Sequence, residues 1–459
     1  MELPKPANRL HFSQALLPEG WAADVLATIG GDGRIASVMA GVPGDGADAH
    51  RGIALPGMPN LHSHAFQRAM AGLAERAGEG NNSFWTWRET MYRFVERLTP
   101  EQLEAVAAQA YVEMLEAGFT AVAEFHYLHH APDGTPYADL AETSARIMAA
   151  AHDTGIGLTI LPVLYMFGDF GGAPPVSGQR RFLNSTERFL TLVERCRAVA
   201  SGSEGVTVGI APHSLRAVTA DALASVVSAV SDGPIHLHTA EQMKEVEDCL
   251  AWSGQRPVEW LMEHQPIGPR WCLVHATHMT PMEIRALAAS GAVVGLCPLT
   301  EANLGDGIFA ARAFREGGGR FGVGTDSNVF ISVAEELRLL EYGQRLNERT
   351  RAAFARSNGS TGRALYDEAL RGGAQALGQA CGGIAAGMRA DIVALDETAP
   401  ALIGRSGDDL LDGWIFAGDN RLVRDVWAAG RPVVSDGRHV ERERVRARFG
   451  RVMADLLRA

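Results

Sequence analysis

Cysteine is scarce in this sequence, and what there is lies scattered. Cys196, Cys249, Cys272, Cys297 and Cys381 are odd in number and form no C-x-x-C pair. That pattern argues against a disulfide framework and fits free thiols in a reducing cytoplasm. Long apolar runs are missing as well: no uninterrupted stretch reaches the roughly 20 residues that a membrane span needs. The opening segment, MELPKPANRLHFSQALLPEGW, has no apolar core of signal-peptide length. There is no basic excess; the net charge of −12 speaks against a general nucleic-acid binder. It leaves room for an acidic small molecule, because a few arginines in a cleft outweigh the mean field. Tandem repeats and low-complexity linkers are also absent.

What remains suits a globular chain with a substantial core: 459 residues, 46% apolar and 21% charged, enough for one large domain and a smaller one. From about residue 53 short apolar strands alternate with helical stretches. The strands are expected over 53–61, 120–127, 157–165, 206–212, 234–238, 271–275, 292–297 and 320–324. Helices are expected between them, over 101–117, 137–154, 185–200, 220–230 and 281–289. Eight such units, with strands apolar throughout, predict an α/β fold built on a parallel (β/α)8 barrel of the TIM type. A doubly wound open sheet is the alternative. The ends differ in rhythm: 23–39, 384–396 and 423–437 read as strand–turn–strand, and together they predict a small β-sandwich domain built from both chain ends. The expected division is 1–54 and 381–440 for that domain, 55–380 for the barrel, and 441–459 for a basic amphipathic helix docked at the end.

The chemistry-bearing residues fall where the barrel strands finish, the end at which such barrels keep their active sites. Strand one ends in NLHSH, with His62 and His64. Fifteen histidines in 459 residues give about half of one H-x-H pair by chance, so the pair means little alone. Strand two ends with Glu124, His126 and Tyr127, and strand four with His213 and Arg216. Strand five reads HLHTAE, with His236, His238 and Glu241; strand six reads VHATH, with His275 and His278. Strand seven gives CPLTEAN, with Glu301 and Asn303, and strand eight GTDS, with Asp326. Any one of these reads as an ordinary polar strand end. Their joint placement at successive ends points instead to a metal site. Three imidazoles and a carboxylate suit Zn²⁺, with His62, His64, His238 and Asp326 as ligands. His236 competes with His238 for that role, but the spacing to Glu241 makes His238 part of an H-x-x-E unit.

The runs PGMPNLHSHAFQRAM, HLHTAE, LVHATH, GTDS and GGIAAGMRADIVALD resemble the amidohydrolase superfamily over essentially the whole chain. Strand four ends in APHSLR, without the lysine that bridges two metals in part of that superfamily. The resemblance therefore implies the one-metal deaminase branch and one Zn²⁺ per chain. In that branch Glu241 shuttles protons and His275 helps to activate or orient water. Asp326 serves as ligand and base, with the first proton going to either Asp326 or His275. Within the branch, NLHSHAFQRAMAGLAE, FWTWRETMY, EFHYLHH, APHSLR and TEANLGDGIF resemble the formimidoylglutamate deiminases of histidine degradation. These convert N-formimidoyl-L-glutamate and water to N-formyl-L-glutamate and ammonia. The resemblance implies substrate contacts by Gln67, Arg88, Tyr127, His213 and Arg216, and a cytoplasmic homodimer. Two arginines beside one metal suit a dicarboxylate, since guanidinium binds carboxylate as a fork. Trp85, Trp87 and Tyr92 around Arg88 are read equally well as core. The rival readings are a one-metal deaminase of guanine or a related heterocycle, and a member that has lost its metal. The latter predicts broken ligands, yet all four are present.

Overall fold

The apolar run over 53–61 forms two strands in two different sheets. In the computed structural model, which describes residues 8–75, 84–202, 205–355 and 357–458, the chain changes sheet at Gly57. A Cβ there would lie 2.3 Å from the Thr120 side chain, so only glycine lets the two sheets approach. Residues 1–7 and 459 of the expected end segments, and the Trp85 side chain, lie outside the described residues.

Before Gly57 come β1 (Arg9–Leu17), β2 (Gly20–Ile29), β3 (Ile35–Met39) and β4 (Ala49–Pro56). After it come the barrel strands β5 (Met58–Ser63), β6 (Phe119–His126), β7 (Gly157–Leu164), β8 (Val206–Val208), β9 (Ala211–Pro212), β10 (Ile235–Thr239), β11 (Trp271–His275), β12 (Val293–Leu296) and β13 (Arg320–Val323). The chain ends with β14 (Ile392–Leu395), β15 (Val423–Ala428), β16 (Arg431–Ser435), β17 (Arg438–His439) and the helix Arg442–Arg458.

β5 to β8 form one parallel run and β10 to β13 another, with β9 pairing β7. Parallel bridges join the runs at both seams, Ser63 with Asp326 and Ile210 with Ile235, and so close the barrel. β6, β7, β10 and β11 are buried along their whole length, as expected of strands covered by helices on one side and a filled interior on the other. The strand expected over 206–212 is broken into β8 and β9. The expected helices are present, although the one expected over 137–154 starts only at Glu142 and without a side-chain cap; others carry local start signals. Pro100–Glu116 begins at a Thr99–Gln102 capping box and Pro281–Ser290 at a Thr280–Glu283 box, each with proline in its first turn.

The strands from both ends join in one eight-stranded sheet, ordered β17-β16-β15-β14-β4-β1-β2-β3. β1 is an addition to the expected strands, and 384–396 supplies the single strand β14. The sheet curls: Phe12 on β1 meets Trp427 on β15 edge-on at 6.0 Å, although β4 and β14 lie between them in strand order. Its apolar cluster draws Leu10, Phe12 and Val25 from one end and Ile392, Ala394 and Trp427 from the other. The terminal helix buries Val445, Val452 and Leu456 and pairs Arg448 with Glu104 at 2.6 Å. Among the described residues no helix is long and apolar enough to cross a membrane.

The helix Thr361–Leu377 packs on β13 without side chains between them. A Cβ on Gly372 would sit 1.9 Å from the Phe321 carbonyl oxygen. Helix propensity alone would make Gly372→Ala stabilising by up to about 1 kcal/mol. The clash reverses the sign, and a destabilisation of about 1–3 kcal/mol is expected, read as a lower urea midpoint. An unchanged or raised midpoint contradicts this packing.

Candidate active site

At one barrel seam the backbone itself draws the candidate ligands together. Thr325 and Asp326 donate their amide hydrogens to the His62 carbonyl at 3.1 and 3.0 Å, and the His64 amide donates to the Asp326 carbonyl at 2.9 Å. Buried asparagines lock the seam. Asn60 Nδ2 donates to Thr325 Oγ1 at 2.7 Å, and Thr325 Oγ1 donates to Asn328 Oδ1 at 2.6 Å. Asn328 Nδ2 lies 3.1 Å from Ser63 Oγ and 3.2 Å from the His64 carbonyl. Asp326 and Asn328 sit at φ +45° and +55°, a left-handed conformation that this polar clasp sustains.

Three imidazole nitrogens converge there. His62 Nε2 lies 3.2 Å from His64 Nε2 and 3.1 Å from His238 Nε2. Asp326 Oδ1 is 3.5 Å from His62 Nε2 and 3.3 Å from His64 Nε2. His64 Nδ1 donates to the Phe125 carbonyl at 2.9 Å, and His238 Nδ1 to the His213 carbonyl at 3.3 Å. Those bonds fix the tautomers: a neutral His64 or His238 with Nδ1 protonated presents a bare lone pair at Nε2. Burial keeps the rings neutral, pushing His62 down to about 3 and lowering His64 and His238. Burial works against the charge of Asp326, but His62, His64 and His275 outweigh it and hold the carboxyl below its usual range. Lone pairs aimed at one another in a buried space call for a cation. Ligands of a tetrahedral ion at 2.0–2.1 Å stand about 3.3 Å apart, which matches this cluster. The donor set therefore fits a Zn²⁺-type ion. His236 shares a strand face with His238 but lies two residues lower, where Nε2 donates to the Ala376 carbonyl at 2.8 Å.

A narrow cavity of about 60 Å³ opens over the cluster. His64, His238, Glu241, His275 and Asp326 form its floor, and Gln67, Arg88, Tyr127, His213 and Arg216 its walls. Of the expected site residues only His62 lies beneath it, fully buried. Gln67 Nε2 donates to Tyr127 OH at 3.0 Å. Arg88 stands on the helix Phe84–Val95 with its guanidinium 5.6 Å from the Tyr92 ring centre. Burial opposes the charge of Arg216, but Glu245, Tyr165 and Glu241 outweigh it and hold the guanidinium charged. Burial raises Glu241 to about 7 against the pull of His275 and Arg216. His275 Nε2 lies 3.7 Å from Glu241 Oε1 and 3.8 Å from Asp326 Oδ2. A wider cleft of about 1230 Å³ lies elsewhere, beside Pro269 and Arg320 at the start of β13. It holds none of these residues, so the chemistry rather than the volume marks the site.

Other residues that stand at strand ends do different work. Glu124 accepts the Ala65 amide at 2.6 Å and the Tyr111 hydroxyl at 3.3 Å, bracing the turn after His64. His126 Nε2 meets Thr143 Oγ1 at 3.0 Å, and His278 Nε2 donates to the Asp306 carbonyl at 2.7 Å. Asn303 donates to Glu75 at 2.6 Å at the rim. Trp87, Tyr165, Phe182 and Leu304 also line the cavity. Of these, Tyr165 was signalled by its place at the end of the third strand. Phe182 lies in the long connection after that strand and carries no periodic signal.

Known proteins share this architecture. Residues 8–52 match the family described as formimidoylglutamate deiminase HutF, N-terminal domain. Formimidoylglutamate deiminase of Pseudomonas aeruginosa is 57% identical over 452 residues, spanning 98% of this chain and all of that protein. The crystal structure of an amidohydrolase from Brucella melitensis superposes with a TM-score of 0.95 at 54% identity, covering 98% of this chain and 100% of that one. An adenosine deaminase from Xanthomonas campestris with bound zinc shares the fold, at TM-score 0.80 and 21% identity over 99% and 100% of the two chains. The barrel, its histidine-rich mouth and a match over residues 53–433 agree: the chain belongs to the amidohydrolase family.

Proposed function

We propose that this chain is a metal-dependent hydrolase that converts N-formimidoyl-L-glutamate and water to N-formyl-L-glutamate and ammonia, a step of histidine degradation. The observation that carries the reading is that Arg88 and Arg216 line the same cavity as the imidazole–carboxylate cluster. A pocket for a flat neutral heterocycle has no use for two guanidiniums, whereas a glutamate moiety offers two carboxylates. The formimidoylglutamate deiminase that this chain matches along 98% of its length supports the same substrate.

His62, His64, His238 and Asp326 would hold one Zn²⁺. Such an ion supplies a Lewis acid and lowers the pKa of water from 15.7 toward ~7. The rest falls to the protein. Arg88 and Arg216 pair with the carboxylates, and Gln67, Tyr127 and His213 close around the glutamate part. The attacking water gives its proton to the Asp326–His275 pair, whose Oδ2 and Nε2 lie 3.8 Å apart. The formimidoyl nitrogen enters protonated. As oxygen adds to the amidinium carbon, Glu241 delivers a further proton to that nitrogen, the C–N bond breaks to release ammonia, and the hydroxyl proton of the adduct passes back to Glu241 as the formyl C=O forms. His275 balances charge on the attacking oxygen. We further infer that the curled end sheet is the small β-sandwich, with the barrel running from Met58, three residues later than the expected boundary, to about residue 380. We also infer that the enzyme works as a cytoplasmic homodimer; the burial of all five unpaired cysteines suits a reducing compartment.

Arg88→Met and Arg216→Met test the substrate choice. A charge-assisted hydrogen bond is worth about 1.5–3 kcal/mol, so each change should lower kcat/KM for formimidoylglutamate roughly 10- to 150-fold. Formamidine, which has no carboxylate, should be turned over nearly as well as by wild type, and metal content should hold. Equal damage to both substrates contradicts the assignment of the arginines to carboxylates.

A further inference from the structure

Glu301 is a buried carboxylate beside the reacting groups, and the reaction just described gives it no task. We propose that Glu301 is a positioning residue for His275: it accepts the Nδ1 hydrogen, turns Nε2 toward the substrate, and by its negative charge supports that nitrogen while it holds a proton. This rests on the deimination reading and deepens it.

Two observations carry it. The first is the fixing of the carboxylate. Glu301 Oε1 accepts the Cys297 amide at 2.8 Å, and the Glu301 amide donates back to the Cys297 carbonyl at 2.9 Å. The side chain is thereby pinned to its own turn at the start of the helix Pro298–Leu304. The same oxygen lies 3.2 Å from His275 Nδ1. The second is the position of His275. It closes β11 at φ +66°, and Ala276 follows at +49°. Regular strand geometry therefore does not aim the ring, and it needs a partner outside its own strand. With Glu301 on Nδ1, Nε2 stands between Glu241 Oε1 at 3.7 Å and Asp326 Oδ2 at 3.8 Å. A carboxylate on one ring nitrogen fixes which nitrogen works and stabilises the imidazolium that forms during turnover. Capping the Cys297 turn alone would need an acceptor oxygen but no charge, and this separates the proposal from a purely structural role.

The test uses full-length protein and the substitutions Glu301→Gln and His275→Asn. Glutamine keeps an acceptor for the Cys297 amide and removes the charge. A carboxylate-bound imidazole N–H gives a far-downfield proton resonance. That resonance is expected in wild type, absent in His275→Asn, and moved upfield or lost in Glu301→Gln. In the same Glu301→Gln protein, kcat for formimidoylglutamate should fall about 10- to 100-fold, with KM, metal content and urea midpoint near wild type. A resonance unchanged in Glu301→Gln, full activity, or a fall in midpoint and metal content that accounts for the lost rate overturns the proposal. The proton resonance requires no substrate. A wild type inactive on formimidoylglutamate would therefore refute the deimination reading, while Glu301 is still judged by the resonance.

Discussion

Replacing either His62 or His64 by asparagine is expected to lower activity by more than about 10³-fold and to abolish metal binding, because no side chain here would substitute for the water-acidifying ion that the proposed ligands would hold. Wild-type protein, dialysed and analysed for elements, should hold one divalent ion per chain. Two tightly bound ions, both needed for activity, contradict the site described here. The two histidines stand together because alternate residues where β5 ends face the same way: their Nε2 atoms lie 3.2 Å apart, both lie within 3.5 Å of Asp326 Oδ1, and His62 Nε2 lies 3.1 Å from His238 Nε2. Asparagine keeps polarity at these buried positions but is too short to reach the cluster. Folding is expected to survive, since the Asn60–Thr325–Asn328 clasp holds the seam independently of the ion. A variant with full metal and full rate would reduce the pair to a polar strand end.

Glu241→Gln is expected to lower kcat by about 10²- to 10⁴-fold, the range of a positioned acid–base group. Glutamine conserves the volume at a residue that is 4% exposed, so packing changes little. Metal content should stay at one ion per chain, because Glu241 faces His275 Nε2 and is not one of the three imidazoles whose Nε2 atoms converge. Loss of metal together with rate would make Glu241 a ligand, and an unimpaired variant would remove it from the proton path.

These two expectations use residues that the sequence alone singles out. β11 runs from Trp271 to His275 as its apolar run and terminal histidine suggest, and the terminal helix starts at Arg442 as its amphipathic pattern predicts. Such elements are legible because burial on both faces or on one stripe writes itself into composition. Depth within the barrel leaves no such mark. His236 and His238 share a strand face, and their different depths show in the structure as different partners, the Ala376 carbonyl for His236 and His62 for His238. Pairings across long stretches of chain are equally silent. Asn60 and Thr325 touch across 265 positions, and neither residue type advertises a partner. Glu301 is visible as a polar residue after the seventh barrel strand, but its contact with His275 depends on how two loops fold over one mouth. The β4–β5 break at Gly57 was hidden by proline and apolar residues that suit either sheet.

The cavity over the cluster is expected to take an acidic amidine rather than a heterocycle. Ammonia release from formimidoylglutamate, guanine and adenosine, measured side by side on zinc-loaded enzyme, distinguishes the two. Rapid, metal-dependent release is expected from formimidoylglutamate, with N-formyl-L-glutamate as co-product, and none above background from the two heterocycles. Release from guanine or adenosine with formimidoylglutamate inert would contradict it.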